Sequence, residues 1–187
     1  MKTLKTLVLL CLVIATSGTQ ICRAQSKFID KTGSITFEAS EKLFQEVKAT
    51  TGSATAILDV ATNQIAALAL VKGFRFKNSL MQEHFNENYI ESDTYPKAIF
   101  KGELLDTDLN GLDASPKTAR IKGTLELHGV THELDDTMNI HRIEDTIFIE
   151  GEFRVTPQDF AIEIPKIVRN KIAKEVLVAV NFKLLKK

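Results

Sequence analysis

From about residue 27 onward, apolar and polar residues alternate one for one through nearly every segment between turn signals. Ile35, Phe37 and Ala39 interleave with Ser34, Thr36 and Glu38. A period of two puts successive side chains on opposite faces of an extended strand, so such a segment buries one face and wets the other. Further strands are predicted near residues 43–50, 53–60, 64–75, 97–106, 117–128, 131–143, 146–156 and 175–185. Thr51-Gly52, Thr62-Asn63 and Glu144-Asp145 are short polar connections of hairpin type, which predicts antiparallel neighbours.

Two stretches break the alternation. In KNSLMQEHFNENYIESDTYPK, Asn78 or Ser79 can cap a short helix carrying Leu80, Met81, His84 and Phe85, and Pro96 ends the excursion. In IPKIVRNKIAKE, residues 164–175, Pro165 suits a first helical turn, and a short helix or an ordered loop both fit. Eight or nine two-faced strands with one or two short helices call for closure, because an open sheet of this length would expose its edges. The inventory fits a barrel or a sandwich, and the expected fold is all-β: a closed or nearly closed antiparallel β-barrel of about eight strands. The 64–75 strand is apolar on both parities, as if it lay beneath the helical excursion.

The inward parity carries unusually small residues. Gly102, Gly123, Gly151, Ala67, Ala69 and Ala98 stand where Leu or Phe would close an eight-stranded interior, and Trp is absent. Either they leave room for a ligand, or the glycines mark bulges and tight coiling.

The segment GTLELHGVTHEL sets His128 and His132 four residues apart beside Glu133, which on a helix would suggest a zinc motif. Here the backbone is a strand, because Leu125 and Leu127 alternate with Glu126 and His128, and Thr124, Val130 and Thr131 are β-branched. Four residues along a strand span ~13 Å, too far for two ligands each ~2 Å from one metal. The apolar parity also switches from odd to even at Gly129, which predicts a turn or bulge there. No metal site is expected, and both histidines are expected to be exposed around that turn.

Composition narrows the chemistry. Lys2 and Lys5 precede an apolar run from Leu7 to Ala15, and Cys22-Arg23-Ala24 has the small residues of a cleavage site, so residues 1–24 are expected to be a signal peptide and 25–187 one barrel domain. Both cysteines, Cys11 and Cys22, lie in that segment, which leaves no thiol for disulfides, metal or catalysis. Lipidation at Cys22 is a minor option, since Thr19-Gln20-Ile21 lacks small residues. Removing Lys2, Lys5 and Arg23 leaves 21 basic residues against 24 acidic, a net charge of −3 and no basic footprint for nucleic acid. No later segment is apolar for ~20 residues, so no integral membrane helix is expected after signal removal.

Three segments together resemble one family. LMQEHFNENYIESDTYPKAIFKG is similar to the His and Tyr-Pro block of YceI-like, polyisoprenoid-binding proteins, and GTLELHGVTHEL to their G-x-L-x-[IL]-x-G-V-T motif. FRVTPQDFAI is similar to their DFGI segment, with Ala161 in place of the usual glycine, which puts that turn in question. The resemblance covers residues 27–185. It implies an exported, elongated, lipocalin-like antiparallel barrel whose bore holds a long-chain isoprenoid or similar apolar lipid, with the His84 helix near the entrance. Candidate interior residues are then Phe37, Ala67, Ala69, Phe100, Gly102, Gly123, Leu125, Leu127, Gly151, Phe153 and Phe182. Arg75, Met81, His84, Phe85 and Asp93 are candidates for the entrance or a lipid head group; for Arg75, His84 and Asp93, capping the helix and pinning its loop is the competing reading. Burying ~400 Å² of tail at ~25 cal/mol per Å² gives on the order of 10 kcal/mol before ordering costs, enough for binding without a charge in the bore.

No GxSxG elbow, HExxH motif or phosphate loop is present, so no catalytic residue and no cofactor is expected. Two functions of different class stay open: a carrier or sequestering protein for an apolar lipid, and a structural or interaction module whose barrel is dry. A lipid-modifying hydrolase is a third, and would need turnover dependent on His84.

Overall fold

The computed structural model of the chain describes residues 27–41 and 44–187. The predicted signal segment, with Cys11 and Cys22, lies outside the described residues. Nine strands form: β1 (Lys27–Ser40), β2 (Lys48–Asp59), β3 (Gln64–Leu70), β4 (Arg75–Phe76), β5 (Lys97–Leu105), β6 (Lys117–Leu127), β7 (Val130–Ile143), β8 (Thr146–Val155) and β9 (Ile172–Lys186). Eight of them close into an antiparallel barrel in the order β1, β9, β8, β7, β6, β5, β3, β2, with β2 pairing back onto β1. Closure leaves no long edge exposed. The two-residue β4 adds only to the start of β2, through Ala49↔Phe76 and Thr50↔Arg75.

One short helix, α1 (Ser79–His84), follows β4. Asn78 caps it: its Oδ1 accepts from the amides of Leu80 at 2.9 Å and Met81 at 3.2 Å, satisfying two of the donors that a helix start leaves free. A wider π-type turn, Phe85–Tyr89, continues from it.

The alternation maps onto the barrel wall. Outward positions carry Lys101, Glu103, Lys122, Glu126, Glu150, Glu152 and Arg154, all exposed. A barrel crossing a membrane would need an apolar band there. Among the described residues no helix is long and apolar enough to cross a membrane. Inward positions differ along the axis. At the end that holds the turns 60–63 and 144–145, Leu58, Leu104, Ile140, Ile147 and Leu184 are fully buried and fill the bore. Leu109 and Leu112, from the loop after β5, join this packed floor.

Several boundaries differ from the sequence expectation. The two strands predicted on either side of Thr51-Gly52 are one, Lys48–Asp59, which continues past that dipeptide with a shift of register against β1; there Thr51 is buried and its hydroxyl lies 3.1 Å from that of Ser53. The 64–75 strand ends at Leu70 in a 3-10 turn, Val71–Gly73. Residues 166–171 form turns rather than a helix, held by hydrogen bonds from the Val168 amide to the Pro165 carbonyl and from the Lys171 amide to the Val168 carbonyl. An unanticipated 3-10 turn, Pro157–Phe160, ends on Ala161 in the left-handed region, φ 53° and ψ 27°.

The β6–β7 corner is a two-residue turn. Leu127 pairs with Val130, and His128 and Gly129 both take positive φ, 51° and 73°, as a type I′ turn demands. A side chain at Gly129 would also strike the Tyr95 ring, 2.6 Å from the nearest carbon. The parity switch in the sequence is this turn.

Candidate functional site: an apolar cavity with one mouth

Above the packed floor the bore is open. A cavity of about 580 Å³ extends from Ile121, Met138, Ile149 and Phe182 up to the opposite end of the barrel. That size lies within the range of small-molecule sites. Along β9 the wall runs from Phe182 to Ile172, a strand path of ~33 Å at ~3.3 Å per residue. The lining is apolar through its depth. Its polar members, Gln45, Asn78, His84 and Lys171, are all exposed at the mouth.

The strand register explains why three separate segments meet at that mouth. Ser40 pairs with Ile172, which sets the β1–β2 loop beside the β8–β9 connection. Phe76 pairs with Ala49, which brings the foot of α1 to the same rim. Glu46 and Lys77 then tie loop to helix at 2.7 Å. The Lys77 hydrogen bond and charge hold the Glu46 carboxyl below its ordinary range, and the same contact raises Lys77.

One wall is aromatic. Phe37 lies 5.3 Å from Phe74, 5.6 Å from Phe76 and 5.2 Å from Phe85, ring centre to ring centre, and Phe76 lies 5.2 Å from Phe85. These separations suit favourable tilted and edge-to-face packing, so the wall stands without a guest. A second cluster, Val71, Ile90, Phe160 and Ile162, braces the other side of the mouth.

Of the interior candidates, Phe37, Ala67, Ala69, Phe100, Leu125, Leu127, Phe153 and Phe182 line the cavity. Gly102, Gly123 and Gly151 do not. Gly102 faces Gly123 across β5 and β6, and a Cβ on Gly102 would lie 2.3 Å from the Lys122 carbonyl oxygen and 2.6 Å from the Phe100 ring. A Cβ on Gly151 would lie 2.3 Å from Met138 Sδ. These glycines admit neighbouring atoms rather than leaving space for a ligand. The small residues that do line the open volume are Ala67, Ala69 and Ala98.

At the entrance, Met81, His84 and Phe85 line the cavity. Arg75 and Asp93 do not line it. Arg75 donates from Nη1 to the Lys72 carbonyl at 2.7 Å and to that of Phe74 at 3.2 Å, and Asp93 is ion-paired with Lys72. Both pin the loop.

His132 is exposed, as expected, but His128 is not: its side chain is only 10% accessible. Its Nδ1 lies 3.0 Å from the Phe160 carbonyl and therefore donates to it, and Tyr95 meets its ring edge-on at 4.5 Å. Nε2 is buried without a hydrogen-bond partner, 3.8 Å from Glu91 Oε1. His128 thus joins three segments of the mouth end. His141 is half-buried and stacks on Phe148 at 4.8 Å. Among the described residues no three His, Asp or Glu side chains gather closely enough to hold a metal ion.

Phe74 and Phe76, Phe44 and Gln45, and Ile162 and Ile164 also line the site. The alternation in Phe74-Arg75-Phe76 was the one available signal for the first pair.

A model of the YceI-like domain matches residues 26–184. The chain belongs to the YceI-like domain family. Solved structures agree on the fold at low identity. The structure of a polyisoprenoid binding domain from Saccharophagus degradans, implicated in plant cell wall breakdown, is 16% identical with a TM-score of 0.76, over 87% of this chain and 99% of that one. BcnA of Burkholderia cenocepacia is 14% identical with a TM-score of 0.66, over 80% and 95%. A Campylobacter jejuni YCEI protein is 12% identical with a TM-score of 0.61, over 77% and 86%. The search of curated proteins finds no match.

Proposed function

We propose that this YceI-like chain is an exported carrier or sequestering protein for an apolar lipid, held tail-inward in the barrel. The observation that carries the reading is the cavity of about 580 Å³, apolar through its depth and polar only at its mouth. A guest with an apolar tail and a polar end matches that order, since burying tail surface returns ~25 cal/mol per Å² while a buried head group would lose its hydration. The naming of a structural neighbour as a polyisoprenoid binding domain supports an isoprenoid-like tail. The N-terminal basic and apolar segment supports export to the periplasm or beyond. Cavity residues Phe37, Phe100, Leu125, Phe153 and Phe182 would contact the tail, and Met81, His84 and Phe85 the part nearest the mouth.

The test is recovery of the guest. Protein purified from its own host and examined by native mass spectrometry and organic extraction is expected to release a hydrophobic compound in near-stoichiometric amount. Repeated recovery of empty protein that also fails to take up a fluorescent apolar probe would reject the carrier in favour of a dry structural module.

A further inference from the structure

The mouth is also an outward face, and one of its lips carries a charge opposite to that of the molecule. Residues 164–174, IPKIVRNKIAK, carry Lys166, Arg169, Lys171 and Lys174 and no acid, in a domain whose net charge is −3. All four cations are exposed. Arg169 donates to the Ile164 carbonyl at 3.2 Å, which holds the loop in shape and leaves the guanidinium on the surface. Beside them Ile167 is 83% accessible, the most exposed large apolar side chain among the described residues. Phe44 and Leu80, at 44% and 57%, stand on the two neighbouring lips. Glu163 and Glu175 flank the basic run, Glu46 is engaged by Lys77, and Glu83 and Glu87 lie exposed on the α1 side. The positive face is therefore one lip of the mouth rather than its whole ring.

A basic loop with an apolar tip of its own, beside two further apolar tips on the neighbouring lips, matches the layering of a membrane surface, where phosphates lie just above an apolar boundary. We propose that this lip docks the cavity mouth on an anionic phospholipid bilayer, with Ile167, Phe44 and Leu80 entering the interfacial layer and the four cations meeting lipid phosphates. Docking deepens the carrier reading by giving a tail a path between bilayer and cavity that avoids water. It can be tested apart from that reading, because Lys166, Ile167 and Arg169 do not line the cavity, although Phe44, Leu80 and Lys171 stand at its edge.

Co-sedimentation with phosphatidylcholine vesicles, with and without phosphatidylglycerol, tests it. The protein is expected to sediment with the anionic vesicles only, and added salt is expected to release it. Lys166→Gln and Arg169→Gln should each weaken binding about fivefold. Ile167→Ser should weaken it further at any salt. All three side chains are exposed, so thermal melts should match the parent, and uptake of a fluorescent apolar probe without vesicles should not change. Absence of sedimentation with anionic vesicles, or equal sedimentation of the Lys166→Gln/Arg169→Gln protein, would overturn the proposal. Self-association abolished by Ile167→Ser, without vesicle binding, would assign the face to a second copy instead. Vesicle binding retained by a protein that takes up no probe would sink the carrier reading and leave docking standing.

Discussion

Gly102 stands directly opposite Gly123 in the β5–β6 ladder, and a Cβ on Gly123 would sit 2.2 Å from the Lys101 carbonyl oxygen and 2.5 Å from Gly102 Cα. The two backbones are closer than any side chain allows. Gly123→Ala is expected to cost about 1 to 3 kcal/mol, the usual range for overpacking, read as a lower denaturant midpoint. An unchanged midpoint would mean that the ladder spreads freely at that pair.

Ala67 lines the cavity opposite Phe100. Ala67→Phe should fill that volume and lower uptake of a fluorescent apolar probe at least tenfold, with the melting temperature held or raised, because the new ring enters existing apolar space. Undiminished uptake would mean that the guest does not pass this level.

The Glu46–Lys77 tie predicts a pH dependence of exchange at the mouth. Glu46 titrates lower in the folded chain than its ordinary 4.5, so the tie is fully present above that value and is lost as pH falls through the lowered one. Release of a bound probe should therefore quicken only in that acidic window, whereas Lys77→Gln should quicken it at neutral pH and return Glu46 to its ordinary titration by NMR. Both groups are exposed, so the effect is sought in rates rather than in stability.

Asp30 is 6% accessible and sits where β1 bulges between Asp30 and Gly33. Its Oδ2 accepts from the Lys183 amide at 2.7 Å and its Oδ1 from the Thr32 amide at 2.8 Å, supplying acceptors that the interrupted ladder withholds. Asp30→Ala orphans both amides and should cost about 1.5 to 3 kcal/mol in chemical denaturation. A smaller loss would imply that water reaches the bulge.

Ala161 occupies the left-handed region in which a Cβ costs roughly 1 to 2 kcal/mol. Ala161→Gly should remove that strain, offset in part by the entropy of glycine in the unfolded chain, for a net gain of about 0.5 to 1 kcal/mol. A lower melting temperature would show that the methyl group earns its place by packing.

The barrel was legible because each wall strand has one wet face, which period two records directly. The turn at His128-Gly129 was legible for a related reason: two apolar residues of opposite parity flank it. Gly102, Gly123 and Gly151 misled because alternation reports which way a residue points, not what stands opposite. Cross-strand register reveals that the β6 backbone at Lys122 and Gly123 crowds Gly102 and that Met138 crowds Gly151, while Phe100 folds over Gly102 from its own strand. At Thr51-Gly52 the turn signal marks a shift of register against β1 rather than a chain reversal. Phe74 and Phe76 straddle the start of a two-residue strand, Arg75–Phe76, where three residues of alternation are a faint signal, and the burial of His128 depends on Tyr95 and Phe160, distant in sequence.

With Leu58, Leu104, Ile140, Ile147 and Leu184 sealing one end, the bore is a blind tube. Any chain-like guest must back out by the door through which it entered. Such a vessel cannot act as a conduit between two sites held at its opposite ends. On the proposed carrier reading, donor and acceptor would take turns at the same face, and a hand-over would require the whole molecule to let go of one before it meets the other.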